Sequence, residues 1–143
     1  MPLITRKTDY ATRVLLHLAL LPAGSWTTAR DIARRQLIPE RLIRHIISQL
    51  AKAGLLNTRR GKGGGVQMAR PASEIGLLDV LEAMQGPLSL NACVTDPRAC
   101  ALTAECPMYE AWVRTQEELA NRLRQETLDG LARQTDPWIS PGM

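Results

Sequence analysis

The sequence predicts a mainly helical fold: a winged helix-turn-helix with a small β-hairpin wing and a long C-terminal dimerisation helix. Three observations predict it. Apolar residues recur at helical spacing through most of the chain. A basic, glycine-rich hairpin pattern, Arg59-Arg60-Gly61-Lys62-Gly63-Gly64-Gly65, follows two short helices joined by a tight turn. A final amphipathic stretch is long and carries only a narrow apolar stripe.

Taken in order, Thr5 or Thr8 caps a first helix in which Tyr10, Ala11, Val14, Leu15, Leu18 and Ala19 face one way. The apolar run Val14–Leu21 is far too short to span a bilayer, and His17 within it reads as a core residue. Pro22-Ala23-Gly24-Ser25 stops the helix. Thr27 or Thr28 starts a second helix to about Arg35, with Ala29, Ile32 and Ala33 inward, and Gln36 to Pro39 forms a turn. A third helix covers about Pro39 to Ala53, where proline suits the first turn because the missing N–H costs nothing. Leu42, Ile43, Ile46, Ile47 and Leu50 form its buried stripe; Arg41, Arg44 and His45 lie elsewhere on the helix. Gly54 ends it as a left-handed C′ residue. Leu55–Arg59 and Val66–Met68 are the strands of the wing, and the glycines between them allow close approach to a phosphate or groove wall. The glycine run lacks the order and context of a nucleotide phosphate loop. A fourth helix spans about Leu77 to Met84 and Gly86-Pro87 breaks it. Pro107 opens the long helix, with Tyr109, Trp112, Val113, Gln116, Leu119, Ala120 and Leu123 on one side. Thr127 caps a last turn, Leu128–Ala132, and the tail after Gln134 is expected to fray unless Trp138 and Ile139 dock.

Five regions follow: a DNA-binding domain over 1–72, a connecting helix over 73–90, a cysteine loop over 91–106, a dimerisation helix over 107–133 and a flexible tail over 134–143. With 143 residues and 45% hydrophobic content the chain builds a single core, and with five aromatic residues and no Phe that core is aliphatic.

Charge divides along the same line. Residues 1–70 hold thirteen Lys and Arg against three Asp and Glu, a net +10; residues 71–143 carry a net −6. A basic half joined to an acidic half implies that the first meets a polyanion. Arg41, Arg44 and His45 are the candidates for the major groove of double-stranded DNA, and Arg59, Arg60 and Lys62 for wing contacts to phosphates or the minor groove.

All three cysteines, Cys93, Cys100 and Cys106, fall in one polar loop. An odd number without a secretory signal argues against a disulfide framework and for a cytoplasmic, reducing setting, where clustered thiols bind metal or act as switches. Thiolates suit soft or borderline metals and iron–sulfur clusters. Single-zinc sites usually contain close Cys-x2–4-Cys pairs, which this loop lacks. Zinc is the second reading and a metal-free thiol switch the third. No paired nucleophile and base, zincin motif or dinucleotide fingerprint points to an enzyme. An iron–sulfur electron carrier would need neither the basic half nor the wing.

Several motifs resemble the IscR/NsrR/RirA family of bacterial winged-helix regulators. They are Lys7-Thr8-Asp9-Tyr10-Ala11, Leu50-x-x-Ala53-Gly54-Leu55, Arg60-Gly61-x-Gly63-Gly64-Gly65, Arg70-Pro71-Ala72-x-x-Ile75, the cysteine triplet and the long helix after it. The resemblance covers roughly residues 3–133. It implies a homodimer crossed through the long helices, a near-palindromic operator, and an iron–sulfur cluster on the three cysteines that senses nitric oxide, redox or iron status. The iron-assembly branch places a histidine three residues past the last cysteine; Tyr109 stands here instead. The Thr8-Asp9-Tyr10 motif resembles the nitric-oxide-sensing branch, which implies Asp9 as a fourth ligand across the dimer and [4Fe–4S] in preference to [2Fe–2S]. The ordinary reading of Asp9 is a first-turn carboxylate favoured by the helix dipole. The function expected is that of a cluster-controlled repressor.

Overall fold

The structure, a computed structural model, describes residues 2–134. Its helices are α1 (Arg6–Ala19), α2 (Ala29–Gln36), α3 (Glu40–Lys52), α4 (Leu77–Gln85), α5 (Ala92–Thr95), α6 (Pro107–Gln125) and α7 (Leu128–Ala132). Strands β1 (Leu56–Arg59) and β2 (Gly65–Met68) form the antiparallel wing, and 3-10 turns occupy Ala72–Glu74, Pro97–Ala99 and Thr103–Glu105. The mainly helical winged architecture is as expected. The expected tail, with Trp138 and Ile139, lies outside the described residues.

Local chemistry sets the helix boundaries. The Thr5 hydroxyl accepts a hydrogen bond from the Thr8 amide, Thr28 from Asp31 and Thr127 from Gly130, each satisfying an N–H left without an intrahelical partner. At the tight turn between α2 and α3, Leu37 takes the left-handed conformation (φ 55°) with its side chain 80% exposed. That position usually favours glycine.

The core is aliphatic. Val14 and Leu15 of α1, Ile32 of α2, Ile46 and Leu50 of α3, Ile75, Val80 of α4 and Leu128 of α7 are fully buried in one cluster. Complete burial of each large side chain contributes about 1.5–3 kcal/mol. The α3 stripe is as expected except that Leu42 sits at its edge, partly exposed. α7 does not extend α6. It turns back to pack on α1 and the Ala72–Glu74 turn. His17 is buried, and its Nδ1 lies 3.1 Å from Gln36 Nε2. Burial holds its pKa below the ordinary value, against the nearby Asp31 carboxylate, which raises it.

In the wing, Leu56 pairs with Met68, Asn57 with Gln67, Thr58 with Val66 and Arg59 with Gly65. The sequence reading missed a third partner: Thr27 N donates to Val66 O (3.0 Å) and Val66 N to Thr27 O (2.7 Å). The hairpin is thereby tied to the segment that leads into α2.

No helix among the described residues is long and apolar enough to cross a membrane.

Candidate nucleic-acid interface and cysteine loop

On α3, burying Ile43, Ile46 and Ile47 turns Arg41, Arg44 and His45 to solvent. None of the three side chains has an ion pair or hydrogen bond to another described residue. α2 behind them is braced by Asp31, which pairs with Arg34 (2.8 Å) and Arg35 (3.1 Å). Partial burial pushes the Asp31 carboxyl up, but hydrogen bonds from the two guanidiniums outweigh it and the pKa falls below the ordinary value.

At the wing, Arg60 and Lys62 are exposed and likewise unpaired. Arg59 is engaged inside the hairpin. Its guanidinium lies 4.0 Å from the Trp26 ring centroid, and Nε and Nη2 donate to the Gly63 carbonyl at 3.1 and 2.6 Å. Two glycines are obligatory here: a Cβ at Gly64 would sit 2.5 Å from the Arg59 carbonyl oxygen, and one at Gly65 would collide with that of Thr27.

The cysteine loop is a chain of short helical turns. Asn91 Oδ1 accepts from Ala92 N (2.8 Å), Asp96 Oδ1 from Arg98 N (3.1 Å), and the buried Thr103 hydroxyl donates to Cys100 O (3.0 Å). All three thiols are free; Cys93 and Cys106 are half-buried and Cys100 is exposed. They line one cavity of about 310 Å³ with Leu102, Tyr109 and Trp112. Among the described residues no three His, Cys, Asp or Glu side chains converge as ligands of one metal ion. The cavity lining includes three thiols beside the oxygen-bearing Asn91, Thr103 and Tyr109, and a cluster spreads its ligands over several irons rather than one. The three thiols, which share one cavity, fit a cluster in donor type. Asp9 lies exposed on the first turn of α1, paired with Arg13 at 3.1 Å. Arg13 also reaches the Gln36 carbonyl (3.3 Å) and the Tyr10 ring.

Bonds across the chain join the loop to the basic half. Cys106 caps the N-terminus of α6, and Leu90 N donates to Gln116 Oε1 on that helix (2.8 Å). The far end of α6 is pinned: Leu77 N donates to Glu126 O and Leu128 N to Ile75 O, both at 2.9 Å. A Cβ on Gly76 would lie 2.6 Å from the Arg124 carbonyl oxygen. At the end of α4, Gln85 Oε1 accepts from Thr5 N (3.0 Å) and Thr8 Oγ1 (2.6 Å), so α4 also holds the first turn of α1 next to Asp9.

A protein-family model described as Rrf2, iron-dependent transcriptional regulator, matches residues 4–134. Among solved structures, CymR (YrzC), the global cysteine regulator of B. subtilis, is 27% identical with a TM-score of 0.78, over 95% of this chain and 100% of that one. Staphylococcus aureus CymR is 25% identical with a TM-score of 0.68, over 90% of this chain and 96% of that one. T. potens IscR shares the fold at 23% identity and a TM-score of 0.67, over 98% of this chain and 90% of that one.

Proposed function

The chain belongs to the Rrf2 family of transcriptional regulators, and on that footing we propose that it is a homodimeric, cytoplasmic repressor whose operator affinity is set by an iron–sulfur cluster. Members of this family are DNA-binding regulators and not enzymes. The observation that carries the proposal is the cavity shared by Cys93, Cys100 and Cys106 at the head of α6, a helix whose other end is bonded to the DNA-facing core.

Cys93, Cys100 and Cys106 would hold the cluster, with Asp9 of the second protomer as fourth ligand in a [4Fe–4S] site. Such a cluster supplies reactivity toward nitric oxide or oxygen, and a non-cysteine ligand leaves one iron easier to attack. The rest falls to the chain's own residues. Ordered, the loop fixes Cys106 and the start of α6. Gln116 ties α6 to Leu90, and the Leu77–Glu126 and Leu128–Ile75 bonds pass its position to α4, α7 and α1. Two-fold symmetry then sets the distance between paired α3 helices, about 34–36 Å for successive major grooves, and asks for a near-palindromic operator. Arg41, Arg44 and His45 face the bases, and Arg60 and Lys62 meet the backbone or minor groove.

The test is anaerobic purification followed by an absorbance spectrum and assays of iron and acid-labile sulfide. Bound iron and sulfide that disappear in each single Cys→Ala variant support the proposal; protein carrying zinc and neither iron nor sulfide contradicts it. A second reading is a metal-free thiol regulator of the same fold, favoured by the exposed Cys100 thiol and by likeness to the global cysteine regulator of B. subtilis. It predicts a reversible change in operator binding on oxidation of protein that never held iron.

A further inference from the structure

Three cations follow one another at the wing, but their surroundings differ. Arg60 and Lys62 extend from the hairpin without a side-chain partner among the described residues. Arg59 folds toward its own turn, stacked on Trp26 at 4.0 Å and bonded twice to the Gly63 carbonyl. A guanidinium does both at once because it is planar: its face meets the ring and its edge presents a fork of N–H donors. Lysine has neither a plane nor a fork.

The backbone beside Trp26 is tied down. The next residue, Thr27, exchanges two backbone hydrogen bonds with Val66 on β2. The missing Cβ of Gly65 lets the two backbones approach that closely. The turn from Arg60 to Gly64 has several glycines, including Gly61 and Gly63 at positive φ, so its own preferences leave many conformations open. Among the described residues, Arg59 is the side chain that joins this turn to an aromatic ring outside the hairpin.

We propose that Arg59 is a positioning residue: the Trp26–Arg59–Gly63 clamp pre-forms the wing so that Arg60 and Lys62 arrive at DNA already placed. This rests on the DNA-binding reading and reassigns Arg59 from a direct DNA contact to an internal one. A contact residue and a positioning residue lose affinity in different ways. A cation that neutralises a phosphate releases a counterion, so its removal lowers the slope of log K against log salt by about 0.9. Removing a brace makes the wing pay the cost of ordering on binding, whatever the salt.

The experiment is a salt series of binding to a 30-base-pair duplex, about that size, enriched by this protein from a randomised pool. The proteins are wild type, Arg59→Ala, Arg59→Lys, Trp26→Ala, the Trp26/Arg59 double alanine variant and Lys62→Ala. Arg59→Ala, Arg59→Lys and Trp26→Ala should each weaken binding by about threefold to thirtyfold, with the salt slope of the wild type. The double variant should be no weaker than the weaker single one. Lys62→Ala should lower the slope by about 0.9. A lowered slope in Arg59→Ala, full binding by Arg59→Lys, or unchanged binding by Trp26→Ala would each overturn the proposal. Amide exchange over Gly64–Met68 in DNA-free protein decides it separately: faster exchange in Arg59→Lys supports the clamp, and unchanged exchange overturns it. If the wild type enriches no duplex, the DNA-binding reading is what fails, and amide exchange still judges the clamp.

Discussion

α1 and α6 are the two longest helices, yet α1 buries eight side chains and α6 buries none. α1 is enclosed by α2, α3, α4 and α7. α6 touches its own chain through α4 and α5 and leaves Met108 and Trp112 exposed, beside Leu102 of the loop. The difference teaches where stability resides. The winged-helix half is closed by its own core. The half that carries the thiols is only partly covered, and local stability follows buried apolar contact. In the sensor proposed above, that division would let the loop rearrange without unfolding the winged-helix half. The apolar remainder of α6 is also the surface on which the proposed second protomer would lie.

The contrast can be broken at its strongest point by Leu128→Ala. Leu128 is 0% exposed and belongs to the core despite lying after α6 in sequence. Its truncation should destabilise the protein by about 2–5 kcal/mol in urea unfolding. A loss below about 1 kcal/mol would mean that α7 is not part of the core that supports the DNA-binding half.

Trp112→Ala tests the other side. Trp112 is 42% exposed in the single chain, so the fold itself should be little changed. At an interface a buried tryptophan contributes about 2 kcal/mol, so the dimer dissociation constant should rise roughly thirtyfold in sedimentation equilibrium. An unchanged dimer would remove the α6 face from the interface.

The smallest effect is on pH. His17 is buried in the well-packed half and its pKa is lowered by that burial. Below about pH 6.5 the unfolded chain takes up a proton that the folded chain refuses. Stability from this group is therefore complete above that pH and falls, by at most about 1.4 kcal/mol per pH unit, until the native pKa is reached. Urea midpoints between pH 7.5 and 5, about the relevant range, should show this decline in wild type and a shallower one in His17→Leu. Parallel curves would assign the decline to other groups.

Which parts were legible in the sequence depends on how local their causes are. The caps at Thr5, Thr28 and Thr127 need only a hydroxyl and an amide three residues on, and each was among the expected capping residues. The α3 stripe and the wing strands follow from periodicity and turn glycines, and Arg41, Arg44 and His45 fall outward because the isoleucines fall inward. What escaped was long-range. Trp26 carried no pattern of its own, so neither its stack with Arg59 nor the bridge from Thr27 to Val66 could be read in advance. Gln85 reaching back to Thr5 and Thr8 spans 80 and 77 positions along the chain. Three cysteines in one loop were plain to see. Their shared cavity was not, because it depends on how the short turns pack on one another and α5 on α6.

In the proposed regulator the state of the thiol loop is felt at the operator through α6. The most direct test of this coupling is an anaerobic titration of the enriched duplex with iron- and sulfide-loaded protein, and with the same protein after its iron is removed by a chelator. The two dissociation constants should differ by about 5- to 150-fold, the range of ordinary allosteric coupling. Equal affinities in the two states would contradict it, even with the cluster present.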